Sequence, residues 1–167
     1  MNGSTCATCS SGSYVSGNSC VAVSGGYTGT SSNCTSTLGG TYTNGKCFKN
    51  YSTSYSAVNC QNTSSREYSA YCSGSTYTST DYWAGAKKKC ASVNMTLPAD
   101  TTLQLYCNQY STSTASSKAY TPNIGISSGN FWSSTVDSTN LAYFVTFSNC
   151  GIYGTNRGND LNVLCVK

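Results

Sequence analysis

The 167 residues include only 8% Asp, Glu, Lys and Arg, carry a net charge of +4, and contain no His and 11 Cys. That length suits one ordinary domain with a small appendage. The missing histidine excludes Ser–His and Cys–His nucleophile pairs, and no run of about 20 apolar residues exists to span a membrane. Ser and Thr supply about a third of the chain, while 14 Tyr and the cysteines stand in for the sparse aliphatic residues as core builders. Cysteine at this density points to an oxidising compartment and a disulfide-stapled fold, so the expected location is extracellular or on the cell surface. Met1 is followed by polar residues and not by a signal peptide. It therefore reads as the start of an engineered or processed ectodomain whose export signal or anchor lies outside the chain.

In chain order, "CATC" at Cys6–Cys9 comes first. With no second CxxC and no His to complete a zinc site, and no βαβ context for a redox site, it reads as a structural disulfide. Cys20, Cys34, Cys47, Cys60 and Cys72 follow at intervals of 14, 13, 13 and 12. "GSYVSGNSC", "GGYTGTSSNC" and "GGTYTNGKC" each read as Gly, Tyr, a tight turn and Cys. In the third, Asn44-Gly45 is the preferred pair for a two-residue type I′ turn, since both positions need positive φ. The first third is therefore predicted to be short hairpins tied by disulfides, with residues 1–37 as a Cys-rich hairpin region and 38–167 as the main domain.

"TDYWAGAKKKCASVN" is the strongest helix signal. Thr80 or Asp81 caps it, Trp83, Ala86, Cys90 and Val93 form its apolar face, and Lys87, Lys88 and Lys89 fall mostly on the solvated side rather than forming a nucleic-acid patch. "LPADTTLQLYCNQ" predicts a second helix that Pro98 introduces, with Leu103, Tyr106 and Cys107 on one side. "STSTASSKAYTPNIGISSG" is polar and breaker-rich, hence loop. The chain closes with "NFWSST" and with strands in which Tyr143, Val145 and Phe147 alternate, as do Val163 and Cys165. Hairpins, two helices, a loop and then strands indicate an α+β domain with an antiparallel sheet.

From Tyr82 to Lys167, "YWAGAKKKCASVNMTLPADTTLQLYCN", "FWSST" and "NLAYFVTFSNCGIYGTNRGNDLNVLCVK" resemble bacterial C-type-lectin-fold domains of the DUF1566 type. Their pattern is a helix ending in Cys, an "LP" step into a second helix, a "WSS" strand, an "A-W-x-V-x-F" strand, an Asn-rich loop and a terminal "Y-V-R-C-V-R". The resemblance implies a C-type-lectin-like fold and a disulfide from Cys90 to Cys165. Some members are variable proteins of diversity-generating retroelements, in which template adenines are randomised and Asn codons become codons for other residues. Where the family pattern carries Asn, this chain has Leu141, Thr146, Gly151, Tyr153, Gly154, Thr155, Asp160 and Leu161, all reachable from an Asn codon through its adenines. Ala142, Val145, Phe147, Val163, Cys165 and Val166 keep the type that packing needs. Strand alternation gives the expected split of inward, fixed positions from outward, free ones. Asn162 and Leu164 depart from the pattern's Tyr and Arg.

Eleven cysteines leave one unpaired. Cys150, in the variable loop where the pattern has Gly, is the expected odd residue; the competing assignment bridges it to Cys107. Calcium-dependent sugar binding, as in animal lectins, needs a Glu/Gln-Pro-Asn/Asp loop and a Trp-Asn-Asp strand, which this chain lacks, and few carboxylates exist to coordinate the ion. Formylglycine-generating enzymes share the general fold but are longer domains. Of the five acids, Asp137 and Asp160 are the one pair with a chance of meeting as glycosidase carboxylates, yet one sits in a turn and the other in the variable loop. No enzyme activity, cofactor or metal is therefore expected. Tyr, Ser, Gly and Asn are the residues of binding loops. The expected ligand-binding surface is Phe144, Thr146, Tyr153, Thr155, Asn156, Arg157, Asp160, Asn162 and Leu164, within a variable tail of about residues 141–164. Its partner is expected to be a protein or glycan on another cell or on a phage or host surface. The alternative is a fixed-specificity adhesin or a pilin-like structural subunit.

Overall fold

A computed structural model describes residues 13–16, 19–22, 25–52, 55–110, 124, 126 and 129–167. The "CATC" motif and most of the loop expected after the second helix lie outside the described residues. The architecture is α+β with antiparallel sheets and disulfides.

Strands β1 (Ser13–Ser16) and β2 (Ser19–Ala22) form a hairpin. The second expected hairpin is absent. Asn33–Thr37 is instead a short helical turn that places Cys34 inward, where it bonds Cys47. Thr28 N–H donates to Asn33 Oδ1 and Asn33 N–H to Thr30 Oγ1, and these local side-chain bonds favour a turn over a ladder. β3 (Thr41–Thr43) and β4 (Lys46–Tyr51) form the third hairpin. Asn44 and Gly45 join them at φ 49° and 74°, as the type I′ turn demands.

A short helix, α1 (Arg66–Tyr71), was not expected. Ser65 caps it, its Oγ accepting from Tyr68 N–H, and Cys72 at its end bonds Cys60. α2 (Tyr82–Ala91) is capped by Asp81, whose Oδ1 accepts from Ala84 N–H at 2.8 Å. Trp83, Ala86 and Cys90 are buried as the periodicity predicts, with Val93 just past the helix end. The three lysines are not simply solvated. The Lys87 ammonium lies over the Trp83 ring and donates to Tyr71 O and Ser73 Oγ, Lys88 pairs with Glu67, and Lys89 lies over the Tyr51 ring. Each long stem covers apolar surface while its charge finds a partner.

Gly85 sits mid-helix because a Cβ there would overlap the Ser56 carbonyl oxygen and approach Ala57 Cα to 3.1 Å. In an open helix, Gly→Ala gains about 1 kcal/mol. Here backbone blocks the methyl, and overpacking costs about 1–3 kcal/mol. Gly85→Ala is therefore expected to lower the unfolding midpoint in urea; a raised midpoint would show that the 56–57 segment yields.

α3 (Asp100–Tyr110) buries Leu103, Tyr106 and Cys107. β5 (Asn130–Val136), β6 (Leu141–Thr146) and β7 (Gly151–Asn156) follow, and β8 (Val163–Val166) closes the chain. The sheets run β3-β4-β8 and β5-β6-β7, joined by a bridge between Phe131 and Asn162. Two apolar clusters flank this layer. The first holds Trp83, Cys90, Trp132, Ala142, Val163 and Cys165. The second holds Leu103, Ile124, Ile126, Phe131, Val145 and Leu164. Ile124 and Ile126, within the stretch expected to be loop, are thus core residues.

Cys90 bonds Cys165. Cys150 is not the odd cysteine: it bonds Cys107. The turn after β6 carries it over α3, and it is buried with φ 57°. Cys20 is also disulfide-bonded, so parity places the odd cysteine outside the described residues.

Candidate functional site

The register of the β5-β6-β7 sheet decides what the C-terminal segment presents. β6 pairs with β5 as Phe131↔Val145 and Trp132↔Phe144, and with β7 as Phe144↔Tyr153 and Ala142↔Thr155. Side chains alternate between faces. The row Phe131, Val145, Ile152 packs toward α3 in the second cluster. The row Trp132, Phe144, Tyr153 lies on the opposite face, with Thr155 and Thr146 to either side of it. Trp132 is covered, Phe144 is half-buried and Tyr153 is 46% exposed. This face therefore emerges from the core toward the β7 edge.

The Phe144 and Tyr153 rings lie 5.7 Å apart, tilted by 34°. Asn149 Nδ2 donates to the Tyr153 hydroxyl at 3.0 Å. A Cβ on Gly151 would come within 2.6 Å of the Tyr153 ring, so a bare α-carbon at 151 lets the tyrosine fold back over the strand. Polar groups line both ends. At one end Thr146 Oγ1 donates to Asn130 Oδ1. At the other end Asn159 Nδ2 donates to Thr155 Oγ1 at 2.7 Å. Asp160 is exposed beside Tyr55, a residue the sequence did not single out. Tyr55 donates its hydroxyl proton to Leu161 O at 2.7 Å and meets the Tyr82 ring edge-on at 5.9 Å. Burial first, and then the Asp160 charge, push its ionisation well above the usual tyrosine range.

Five of the nine expected positions thus come together: Phe144, Thr146, Tyr153, Thr155 and Asp160. Asn156 belongs to the other face of β7, where its amide donates to the Tyr77 hydroxyl and accepts from Gly158 N–H. Asn162, bridged to Phe131, lies on the α3 face, where its Nδ2 donates to Asn130 O. Arg157 and Leu164, expected to point outward, are buried. Leu164 is inside because β8 runs between the two clusters and has no solvent face: Val163 and Cys165 enter one cluster, Leu164 and Val166 the other. Arg157 turns inward to a salt bridge with Asp81 at 2.7 Å. It donates to Cys72 O at 3.1 Å and Thr139 O at 3.4 Å, and its guanidinium lies 4.2 Å from the Trp83 ring centre. Its carbonyl accepts from Tyr82 N–H at the start of α2. It anchors the segment after β7 and does not face a ligand. That segment also contains more regular structure than expected, because β7 replaces much of the Asn-rich loop.

The candidate carboxylate pair is divided by the sheet. A Cβ on Gly154 would lie 3.3 Å from Asp137 Oδ2 on the α3 side, whereas Asp160 neighbours Tyr55 on the other. Among the described residues, no three His, Cys, Asp or Glu come together as a metal site, and no helix is long and apolar enough to cross a membrane.

Comparison of the chain with protein-family models, with characterised proteins and with solved structures finds no match.

Proposed function

We propose that this chain is an exported, surface-displayed binding protein with a C-type-lectin-like fold of the DUF1566 type, whose C-terminal strands and turn form a hypervariable ligand surface diversified by a retroelement. The carrying observation is the burial split. Ala142, Val145, Phe147, Val163, Cys165 and Val166, the positions held to their type, are all buried, while none of Leu141, Thr146, Gly151, Tyr153, Gly154, Thr155, Asp160 and Leu161 is. Variation confined to the second set changes what the surface presents and leaves every fully buried position in place, with Leu161 the member that also packs against the first cluster. The disulfides support an oxidising, extracellular setting. On this reading the chain has no catalytic role and uses no cofactor. Its partner is a protein or glycan on another cell, a phage or a host surface.

The second reading is a fixed-specificity adhesin or structural surface subunit. The fit of Tyr153 over Gly151 favours it, because any side chain at 151 displaces the tyrosine. A library randomised at these eight positions separates the two. On the diversified reading most members unfold close to the parent, since surface changes move stability by about 0.5 kcal/mol, and different members bind different partners. Truncating the exposed aromatic by Tyr153→Ala is expected to weaken a selected partner at least about tenfold, as hot-spot aromatics do. If most members fail to fold, the diversified reading falls. A reverse transcriptase gene beside a near-identical template repeat of the tail is the matching genomic observation.

A further inference from the structure

We propose that the free edge of β7 takes up an extended polypeptide segment as an added strand, with a Lys or Arg of that segment, opposite Gly154, paired to Asp137. The proposal rests on the reading of β6 and β7 as a ligand-binding surface, and it names the class of ligand.

The register fixes which backbone groups are available. Phe147 N–H donates to Gly129 O, so the odd residues of β6 bond β5. Arg157 N–H donates to Asn140 O, so the even residues of β6 bond β7 through Gly151, Tyr153 and Thr155. Ile152 and Gly154 therefore direct N–H and C=O away from β6, and among the described residues no hydrogen bond engages them. The open stretch has defined ends. Cys150 O is taken by Gln104 Nε2 at 2.8 Å, and Asn156 O by Asn159 N–H at 3.0 Å. Edge strands are ordinarily blunted by charge, proline or a bulge. β7 has no charged residue or proline, and its pairing with β6 is continuous.

Charge selects the occupant. Gly154 is exposed and bare, and Asp137 Oδ2 lies 3.3 Å from where its Cβ would be. A cross-strand neighbour opposite Gly154 thus extends its side chain to an exposed carboxylate. That carboxylate already holds the Tyr143 hydroxyl, a hydrogen bond that raises the ionisation of the phenol. No Lys or Arg occurs between residues 141 and 156, and Arg157 is committed to Asp81. A second copy of β7 would set Ile152 opposite Gly154 and bring no cation, so a cationic segment of another protein fits better. Main-chain bonds along the edge supply affinity independent of sequence, and Tyr153 and Thr155 on the far face read the partner's alternate side chains.

The test uses the full chain and an acetylated, amidated heptapeptide of alternating Thr and Val with a central Lys. Companion peptides carry Glu at the centre or N-methyl groups on alternate backbone nitrogens. The Lys peptide is expected to shift the Ile152 and Gly154 amide resonances. The Glu peptide is expected to bind roughly fivefold more weakly, the size of a favourable cross-strand charge pair, and the N-methylated peptide not at all. Asp137→Asn should erase the preference for Lys over Glu. Gly154→Lys, whose Cβ is crowded only by the flexible, exposed carboxylate end of Asp137 at 3.3 Å, should block the edge while leaving the melting temperature near the parent's. The proposal is overturned if millimolar Lys peptide shifts neither amide, if N-methylation changes nothing, or if the Lys preference survives Asp137→Asn. A library-selected partner that Tyr153→Ala releases and Gly154→Lys does not would also overturn strand addition, while leaving the binding surface standing.

Discussion

Replacing Arg157 by Met is expected to destabilise the fold by about 3–5 kcal/mol at neutral pH, the cost of stripping one partner from a buried ion pair. The guanidinium is fully buried between Asp81, the carbonyls of Cys72 and Thr139, and the Trp83 ring. Removing it leaves a buried carboxylate at the cap of α2. The nearest other cation, Lys87, is held over Trp83 by Tyr71 O and Ser73 Oγ. Burial already raises the Asp81 carboxyl above its ordinary value, against the pull of the Ala84 amide and then Arg157. Without Arg157 it rises further. A group whose folded pKa is raised binds its proton more tightly folded than unfolded. The variant's deficit is therefore full above the raised folded pKa and shrinks as pH falls through it. Urea unfolding at neutral and acidic pH should show that shrinkage. Adding Asp81→Asn, which keeps an acceptor for Ala84 N–H and removes the charge, should recover much of the loss. A deficit that is the same at both pH values, and unchanged in the double variant, would mean that packing and not charge explains the burial of Arg157.

The elements legible from sequence were those whose signals are local. Asn44-Gly45 specifies its turn by backbone conformation alone, and α2 carries its cap and its apolar face within a dozen residues. β6 was legible from the alternation of Tyr143, Val145 and Phe147 that meets the second cluster, although its other face also buries Ala142 in the first. β8 broke the same rule: apolar cover on both faces leaves nothing outward, and Leu164 was misplaced. β7 was missed because Gly151, Gly154 and Asn156 interrupt the strand preference of Ile152, Tyr153 and Thr155. Gly151 and Gly154 are there because of the Tyr153 ring and the neighbouring Asp137, and the bonding edge of β6 makes the segment a strand. Arg157 could not be placed, since Asp81 lies far upstream and no spacing rule connects them. α1 does carry a local signal, Ser65 ahead of Glu67, in a stretch whose near-even cysteine spacing points to hairpins instead.

Cysteine parity failed differently: it requires an odd residue without locating it. Cys150→Ser is therefore expected to be strongly destabilising. The Cys107–Cys150 bridge spans a sequence separation of 43, and chain entropy assigns such a loop about 4 kcal/mol. For a domain of this size that lowers the melting temperature by on the order of 10 °C. Native interactions add to the loss. Cys150 is buried at positive φ and Cys107 is fully buried, so a serine hydroxyl or a stranded thiol gains no solvent. Cys107→Ser should cost about as much, and the double variant little more than either, because all three remove one bridge. The consequence extends to binding. The turn that the bridge pins to α3 carries Asn149, whose amide holds the Tyr153 hydroxyl, so loosening the turn frees the most exposed aromatic of the ligand face. Partner affinity should then fall even at temperatures where the variant stays folded. An unchanged melting temperature in Cys150→Ser, with Cys150 alkylated before reduction, would restore it as the odd cysteine and detach the turn from α3.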